Sequence, residues 1–109
     1  MTGKPNQRRN VRVLCNLPAE ALGPRGPIRG TCRNLSQGGQ FLVGGPFTVG
    51  RSVEFTVQLP NGPLRALCEV RYPHAYPEGA GVGGRFERMD REDFTRLLDF
   101  LGVPESSVT

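Results

Sequence analysis

Two short segments of this chain contain residue types that could bind an anionic, aromatic ligand. The first is Gln7–Arg12, in which Arg8 and Arg12 stand four positions apart with Arg9 between them. In an extended segment, residues four apart project to the same side, so the guanidinium groups of Arg8 and Arg12 could form a pincer. Guanidinium pairs bidentately with phosphate and stacks on flat bases. A solvated basic tail without a fixed partner is the alternative interpretation of this segment alone.

The second segment is Asn34–Gly39, which has the pattern Asn-x-Ser-x-x-Gly. The Asn34 amide both donates and accepts hydrogen bonds, so it can address the edge of a purine. The hydroxyl of Ser36 adds a short polar contact. Gly39 allows a positive φ or the close approach of a ligand to the backbone. Asn, Ser and Gly are also the usual residues of a hairpin turn, and the pattern alone does not separate the two interpretations.

The excess positive charge of the chain lies in one short segment. Of 14 Lys and Arg against 10 Asp and Glu, four basic residues and no acidic residue fall within residues 1–12, so the remaining 97 residues are neutral overall. A basic segment on a neutral body favours a local anionic partner over a nucleic-acid-binding surface.

Cysteine spacing and hydropathy indicate the compartment. Cys15, Cys32 and Cys68 form no Cys-x-x-Cys pair and the chain has one His, so we expect neither a zinc site nor another metal or cofactor. An odd number of cysteines favours a reducing compartment. The sequence contains neither an apolar run long enough to span a membrane nor the apolar region of a signal peptide. We therefore predict a cytoplasmic protein that does not insert into membranes.

The elements that must position the two segments are predicted to be short strands. The 109 residues suggest one domain, and 15 Gly with 10 Pro exclude a helix bundle and favour a small all-β domain. Pro18–Pro27 and Pro73–Gly79 are predicted loops, and Ser36–Gly39 and Pro60–Pro63 are predicted turns. Alternating apolar residues predict six strands, at Val11–Leu17, Ile28–Leu35, Gln40–Val43, Ser52–Leu59, Leu64–Tyr72 and Ala80–Arg88.

One helix of about eleven residues is predicted after the strands. Asp90 is the expected N-cap, and Gly102 and Pro104 are stop signals. The spacing of four apolar residues predicts a buried face, which we expect to cover one opening of the barrel: Phe94, Leu97, Leu98 and Leu101.

The two motifs in this order resemble those of the PilZ domain family. Its members carry an Arg-x-x-x-Arg motif followed by an Asp/Asn-x-Ser-x-x-Gly motif, and here Asn34 follows Arg12 by 22 residues. The segment Gly81–Phe86 and the closing helix are also similar. The resemblance implies an all-β fold, a six-stranded antiparallel barrel with one C-terminal α-helix. We predict a PilZ domain over residues 7–103, with a flexible basic segment at 1–10 and a tail at 104–109.

The resemblance also implies a function, the binding of the second messenger cyclic di-GMP without catalytic activity. It implies that Arg8 and Arg12 hold phosphates and stack on guanine, that Asn34 and Ser36 hydrogen-bond the ligand, and that Gly39 keeps the turn open. Arg9 is a further candidate ligand-binding residue that could supply charge. The residue before the Arg motif is Gln7 rather than a basic residue, which leaves open whether one ligand or a stacked pair binds.

The hypothesis that follows is a stand-alone receptor that orders its N-terminal segment on the ligand and signals to an unidentified protein partner. Control of motility, pili or exopolysaccharide is what the family usually implies. Two alternatives stay open. One is a ligand-independent PilZ interaction module, and the other is a small basic barrel that binds single-stranded nucleic acid. The second is disfavoured, because it would need aromatic stacking platforms that a chain with 2 Tyr, 6 Phe and no Trp scarcely provides.

Overall fold

Six antiparallel strands close into a barrel, and one helix follows them. The computed structural model describes residues 11–23, 25–44, 47–76 and 79–103. The elements are β1 (Arg12–Gly23), β2 (Gly26–Ser36), β3 (Gly39–Gly44), β4 (Ser52–Leu59), β5 (Gly62–Tyr76), β6 (Gly79–Arg88) and α1 (Arg91–Leu101). The strands lie around the barrel in the order β1-β2-β3-β6-β5-β4, and β4 pairs with β1 to close it. The predicted fold class is confirmed, whereas the predicted terminal segments, 1–10 and 104–109, lie outside the described residues.

Alternation of apolar residues builds the interior of the barrel. Every second side chain of a strand points to the same face, and most of the alternating apolar residues that predicted β4 and β5 are buried inside the barrel. They are Phe55, Val57 and Leu59 on β4, and Leu64, Ala66, Cys68 and Val70 on β5. The same alternation continues through β1, where Leu17, Ala19 and Ala21 point inward. The core is therefore continuous around the barrel.

Two predicted loops are wrong. Pro18–Pro27 is mostly strand, because β1 continues to Gly23 and β2 begins at Gly26, and Pro73–Gly79 lies largely in β5 and β6. Proline lacks an N–H and is tolerated only where no neighbouring strand needs it. Pro18 lies just outside the β1–β4 ladder, and Pro27 and Pro73 lie beyond the ladders with β3 and β4. The prolines therefore lie at strand positions that have no hydrogen-bonded neighbour on one side.

The helix begins and ends where the sequence predicted. Asp90 is the N-cap with extended backbone, and its carbonyl accepts the N–H of Phe94 at 2.9 Å. Gly102 ends the helix at φ 73°, and its N–H and that of Val103 bond to the carbonyls of Asp99 and Leu98, which is the Schellman arrangement. No helix among the described residues is long and apolar enough to cross a bilayer.

The helix packs against the barrel through its leucines. Leu97, Leu98 and Leu101 are buried, and Leu97 and Leu101 belong to the main core cluster. Phe94 is only half-buried, so the fully buried face of the helix contains three of the four predicted residues. A carboxylate oxygen of Asp93 accepts the backbone N–H of Arg65 on β5 at 3.0 Å. Arg96 adds a bond from its guanidinium to the carbonyl of Pro63 at 2.8 Å.

Candidate functional site

The two sequence motifs meet at one end of the β1–β2 ladder. Arg12 begins β1 and pairs with Ser36, the last residue of β2, while Leu14 pairs with Asn34. The guanidinium of Arg12 donates a long hydrogen bond, 3.5 Å, to the amide oxygen of Asn34. Three of the predicted site residues are therefore neighbours although 22 or more positions separate Arg12 from the other two. Arg8 and Arg9 lie outside the described residues.

Ser36 organises the turn that follows β2. Its hydroxyl oxygen accepts the backbone N–H groups of Gly38 at 3.3 Å and Gly39 at 3.2 Å, and its hydroxyl lies 3.4 Å from the carbonyl oxygen of Gly39. Only 9% of Ser36 is exposed. A hydroxyl that satisfies two turn donors holds the backbone in a local side-chain-to-backbone motif. In this structure Ser36 shapes the turn beside Asn34.

Ser36→Ala is expected to lower the free energy of unfolding by about 1–3 kcal/mol, because the turn loses two hydrogen bonds from backbone N–H groups to the Ser36 hydroxyl oxygen, each of which contributes about 0.5–1.5 kcal/mol. Chemical denaturation followed by circular dichroism measures this loss. Ser52→Ala is the matched control, since the Ser52 hydroxyl bonds to Glu87 at an exposed position. Equal, small losses in both variants would contradict a structural role for the Ser36 hydroxyl.

Gly39 is required by a close contact between strands. It pairs with Arg85 on β6, and a Cβ built on Gly39 would overlap the carbonyl oxygen of Gly84. Its φ lies outside the left-handed region, so the positive φ considered from the sequence does not occur. The neighbouring carbonyl of Gly38 accepts the N–H of Phe86 at 2.9 Å. The turn between β2 and β3 is therefore pressed against β6.

The adjacent glycines provide a matched pair of variants. Gly39→Ala is expected to lower the free energy of unfolding by about 1–3 kcal/mol, because the backbone of β6 must move to admit a methyl group. Gly38→Ala is expected to change it by less than about 0.5 kcal/mol, since a Cβ there meets no described atom within 4 Å. Thermal unfolding of both variants measures the difference. A Gly39→Ala variant as stable as Gly38→Ala would contradict the strand contact.

Leu14 belongs to the outer face of this site and was missed in the sequence. It lies opposite Asn34 and is 81% exposed. Together with Cys15, Asn16, Arg33 and Asn34 it lines a shallow groove of about 280 Å³. The signal was present: a leucine at an outward position between Val13 and Cys15 exposes apolar surface that a flat base could cover.

The arrangement offers the groups that a nucleotide requires. Arg12 provides a guanidinium for phosphate or for stacking, the Asn34 amide can both donate and accept, and Leu14 provides exposed apolar surface. The positive charge of Arg33 lies on the same part of β2. The site is thus an open, cationic strand end suited to binding.

A small closed barrel with an open polar site at a strand end has an architecture that is suited to binding a ligand. The model of the PilZ domain family matches residues 6–102. The chain belongs to the PilZ domain family. A search of the curated proteins returned no match.

Solved structures share the fold at low sequence identity. The Bacillus subtilis inhibitor of motility MotI/DgrA has 22% identity and a TM-score of 0.75, with 85% of this chain and 48% of that chain covered. YcgR from Escherichia coli in complex with c-di-GMP has 14% identity and a TM-score of 0.75, with coverage of 88% and 45%. The PilZ domain of YcgR with c-di-GMP has 12% identity and a TM-score of 0.70, with coverage of 88% and 89%. This chain thus spans about half the length of the first two proteins.

Proposed function

We propose that this PilZ domain is a receptor for cyclic di-GMP. The observation that supports the proposal is the contact between the two motifs, in which the guanidinium of Arg12 lies 3.5 Å from the amide oxygen of Asn34. Structures of the same fold, those of YcgR, contain c-di-GMP. The ligand has two phosphates and two guanines, so it needs cations, amide groups and flat or apolar surfaces together.

Each predicted site residue has a role in this proposal. Arg8, Arg9 and Arg12 bind the phosphates and stack on guanine, and each desolvated charge-assisted contact contributes about 1.5–3 kcal/mol. Asn34 hydrogen-bonds a guanine edge, and its long bond to Arg12 is one that either partner can exchange for a bond to the ligand. Ser36 and Gly39 act mainly by holding the turn next to Asn34, since the Ser36 hydroxyl already bonds within that turn.

The signal in this proposal is the ordering of the basic N-terminal segment. Fixing a residue of backbone costs about 1–2 kcal/mol, and the ionic contacts to the ligand must offset that cost. A segment that becomes ordered only with ligand changes the surface offered to a partner protein. The protein then acts without catalysis, in the cytoplasm, on a protein partner in motility, pilus or exopolysaccharide control. The motility inhibitor MotI/DgrA shares the fold.

Isothermal titration of the purified chain with cyclic di-GMP tests the proposal. Saturable binding at micromolar or lower dissociation constant is expected, and the linear dinucleotide and GMP serve as controls for the cyclic ligand. The measured stoichiometry also decides between one ligand and a stacked pair, the question that Gln7 raises. Absence of heat together with absence of competition against a labelled ligand would overturn the proposal in favour of a ligand-independent interaction module. Tight oligonucleotide binding that weakens steeply with salt would overturn it in favour of a nucleic-acid-binding barrel.

A further inference from the structure

Two of the three cysteines lie side by side on paired strands. The sulfur of Cys15 on β1 is 4.0 Å from the sulfur of Cys32 on β2. The β1–β2 ladder is interrupted between Leu14 and Leu17, and Cys15 lies within that irregularity. A bulge of this kind leaves residues without a ladder partner and re-aims a side chain. The contact between these two thiols depends on the register of β1 against β2, so the spacing of the cysteines in the sequence does not predict it.

The two thiols differ in access to solvent. Cys15 is half-buried and lines the open groove together with Leu14, Asn16 and Arg33. Cys32 is 0% exposed and lies behind it. A small oxidant can therefore reach Cys15 through the groove, while Cys32 is closed to solvent and in contact with the sulfur of Cys15.

The local electrostatics favour the thiolate of Cys15 over that of Cys32. The hydrogen bond with Cys32 lowers the pKa of the Cys15 thiol, and the charge of Arg33 lowers it further, against the raising effect of burial. The same hydrogen bond and burial raise the pKa of Cys32. The thiolate is the nucleophilic form of cysteine, so Cys15, the more accessible member of the pair, is also the more nucleophilic one.

The geometry points to a thiol–disulfide couple in which Cys15 is the site attacked by a hydroperoxide and Cys32 is the thiol that resolves it. In the first step the Cys15 thiolate attacks one oxygen of hydrogen peroxide, the O–O bond breaks, and hydroxide leaves and takes up the proton that the thiol released. Cys15 becomes a sulfenic acid and one water forms. The sulfur is oxidised and the peroxide is reduced.

In the second step the Cys32 sulfur attacks the Cys15 sulfur. The S–O bond breaks, and the departing hydroxide takes the Cys32 proton to form a second water. The main cause that raises the Cys32 pKa is its hydrogen bond to the Cys15 sulfur, and that cause disappears once Cys15 is oxidised. The sulfurs must approach from 4.0 Å to about 2.05 Å, a shift that the irregular segment of β1 can absorb. A dithiol reductant reverses the couple.

Cys68 is an internal control for this chemistry. It is 0% exposed on β5, and the amide nitrogen of Gln40 lies 3.6 Å from its sulfur. Burial raises the pKa of Cys68 to about 12. The same oxidant should therefore leave Cys68 reduced in the folded protein.

Intact-mass and peptide analysis after brief treatment of the reduced protein with hydrogen peroxide tests the couple. Remaining thiols are alkylated with a maleimide under denaturing conditions. We expect a monomer that has lost two hydrogens, carries one maleimide on Cys68 and contains a peptide linking Cys15 to Cys32. Three alkylated cysteines, consumption of Cys68 as fast as that of Cys15, or disulfides only between molecules would each overturn the inference.

Serine variants separate the two roles. Cys15→Ser should stay reduced, Cys68→Ser should form the bond like the wild type, and Cys32→Ser should stop at a sulfenic acid that dimedone traps on Cys15. Should Cys32→Ser fail to fold, alkylation kinetics of the reduced wild type provide the second measurement. There Cys15 should react at least about tenfold faster than Cys68, because thiolate character and access favour it; equal rates would overturn the inference. Every readout is thiol chemistry, so the outcome is independent of cyclic di-GMP binding.

Discussion

Replacing Leu97 with alanine is expected to lower the free energy of unfolding by about 3–5 kcal/mol. Leu97 is 0% exposed and belongs to the core cluster of the barrel although it lies on the helix. Truncation therefore removes apolar contacts and leaves a cavity between the two. For a domain of this size a loss of 1 kcal/mol shifts the melting temperature by about 4–8 °C, so thermal unfolding should show a shift of at least about 12 °C.

Phe94→Ala is the comparison that makes the Leu97 prediction specific. The sequence predicts that Phe94 lies on the buried face of the helix, and full burial would give a similar loss of stability on truncation. In the structure the Phe94 side chain is only half-buried. The loss should therefore be clearly smaller than for Leu97, because less apolar surface returns to water. A Leu97→Ala loss below about 1 kcal/mol, or one no larger than that of Phe94→Ala, would contradict the docking of the helix through its leucines.

Arg12→Ala is expected to weaken cyclic di-GMP binding by at least about 2 kcal/mol, which is roughly 30-fold in the dissociation constant. The variant removes a guanidinium from the site where the two motifs meet, next to Asn34. Arg8→Ala should weaken binding by a similar amount if Arg8 and Arg12 together form a clamp, in which both guanidinium groups bind the ligand. Isothermal titration of each variant measures the change, and the melting temperature without ligand should stay within a few degrees of the wild type.

Arg29→Ala is the charge-matched control for the clamp. Arg29 lies on the same strand as Asn34, its side chain is 88% exposed, and its pairing with Glu20 at 3.9 Å is weak. The Arg29→Ala variant loses the same formal charge as Arg12→Ala, but at a position distant from the end of the β1–β2 ladder where Arg12 lies. Binding should therefore change little. Wild-type affinity in both Arg8→Ala and Arg12→Ala would rule out the clamp, and an equal loss in Arg29→Ala would assign the effect to net charge instead.

Local patterns predicted most of the fold. The apolar alternation of Ser52–Leu59 matches β4 residue for residue, and the inward faces of β4 and β5 are those expected. The capping residues placed α1 correctly between Asp90 and Gly102. These predictions are correct because strand alternation and helix capping depend only on residues that are close together in the sequence.

The wrong predictions are those in which proline and glycine indicate breaks in the strands. Pro18, Pro27 and Pro73 all lie inside strands, at positions where the neighbouring strand has ended on one side. Whether an N–H is needed at a given residue depends on which strand lies beside it. That neighbour is set by the closure of the barrel, so the local sequence could not decide it.

The sequence by itself determined the element types, the all-β class, and the two motifs with their charge. Only the tertiary structure decided that Arg12 meets Asn34, that Gly39 is pressed against Gly84, and that Cys15 lies beside Cys32. All three depend on the register between strands, and the Cys15–Cys32 contact depends in addition on the interruption in the β1–β2 ladder. A shift of one residue would turn each side chain to the opposite face. Register is chosen by burial over the whole barrel, which no single segment encodes.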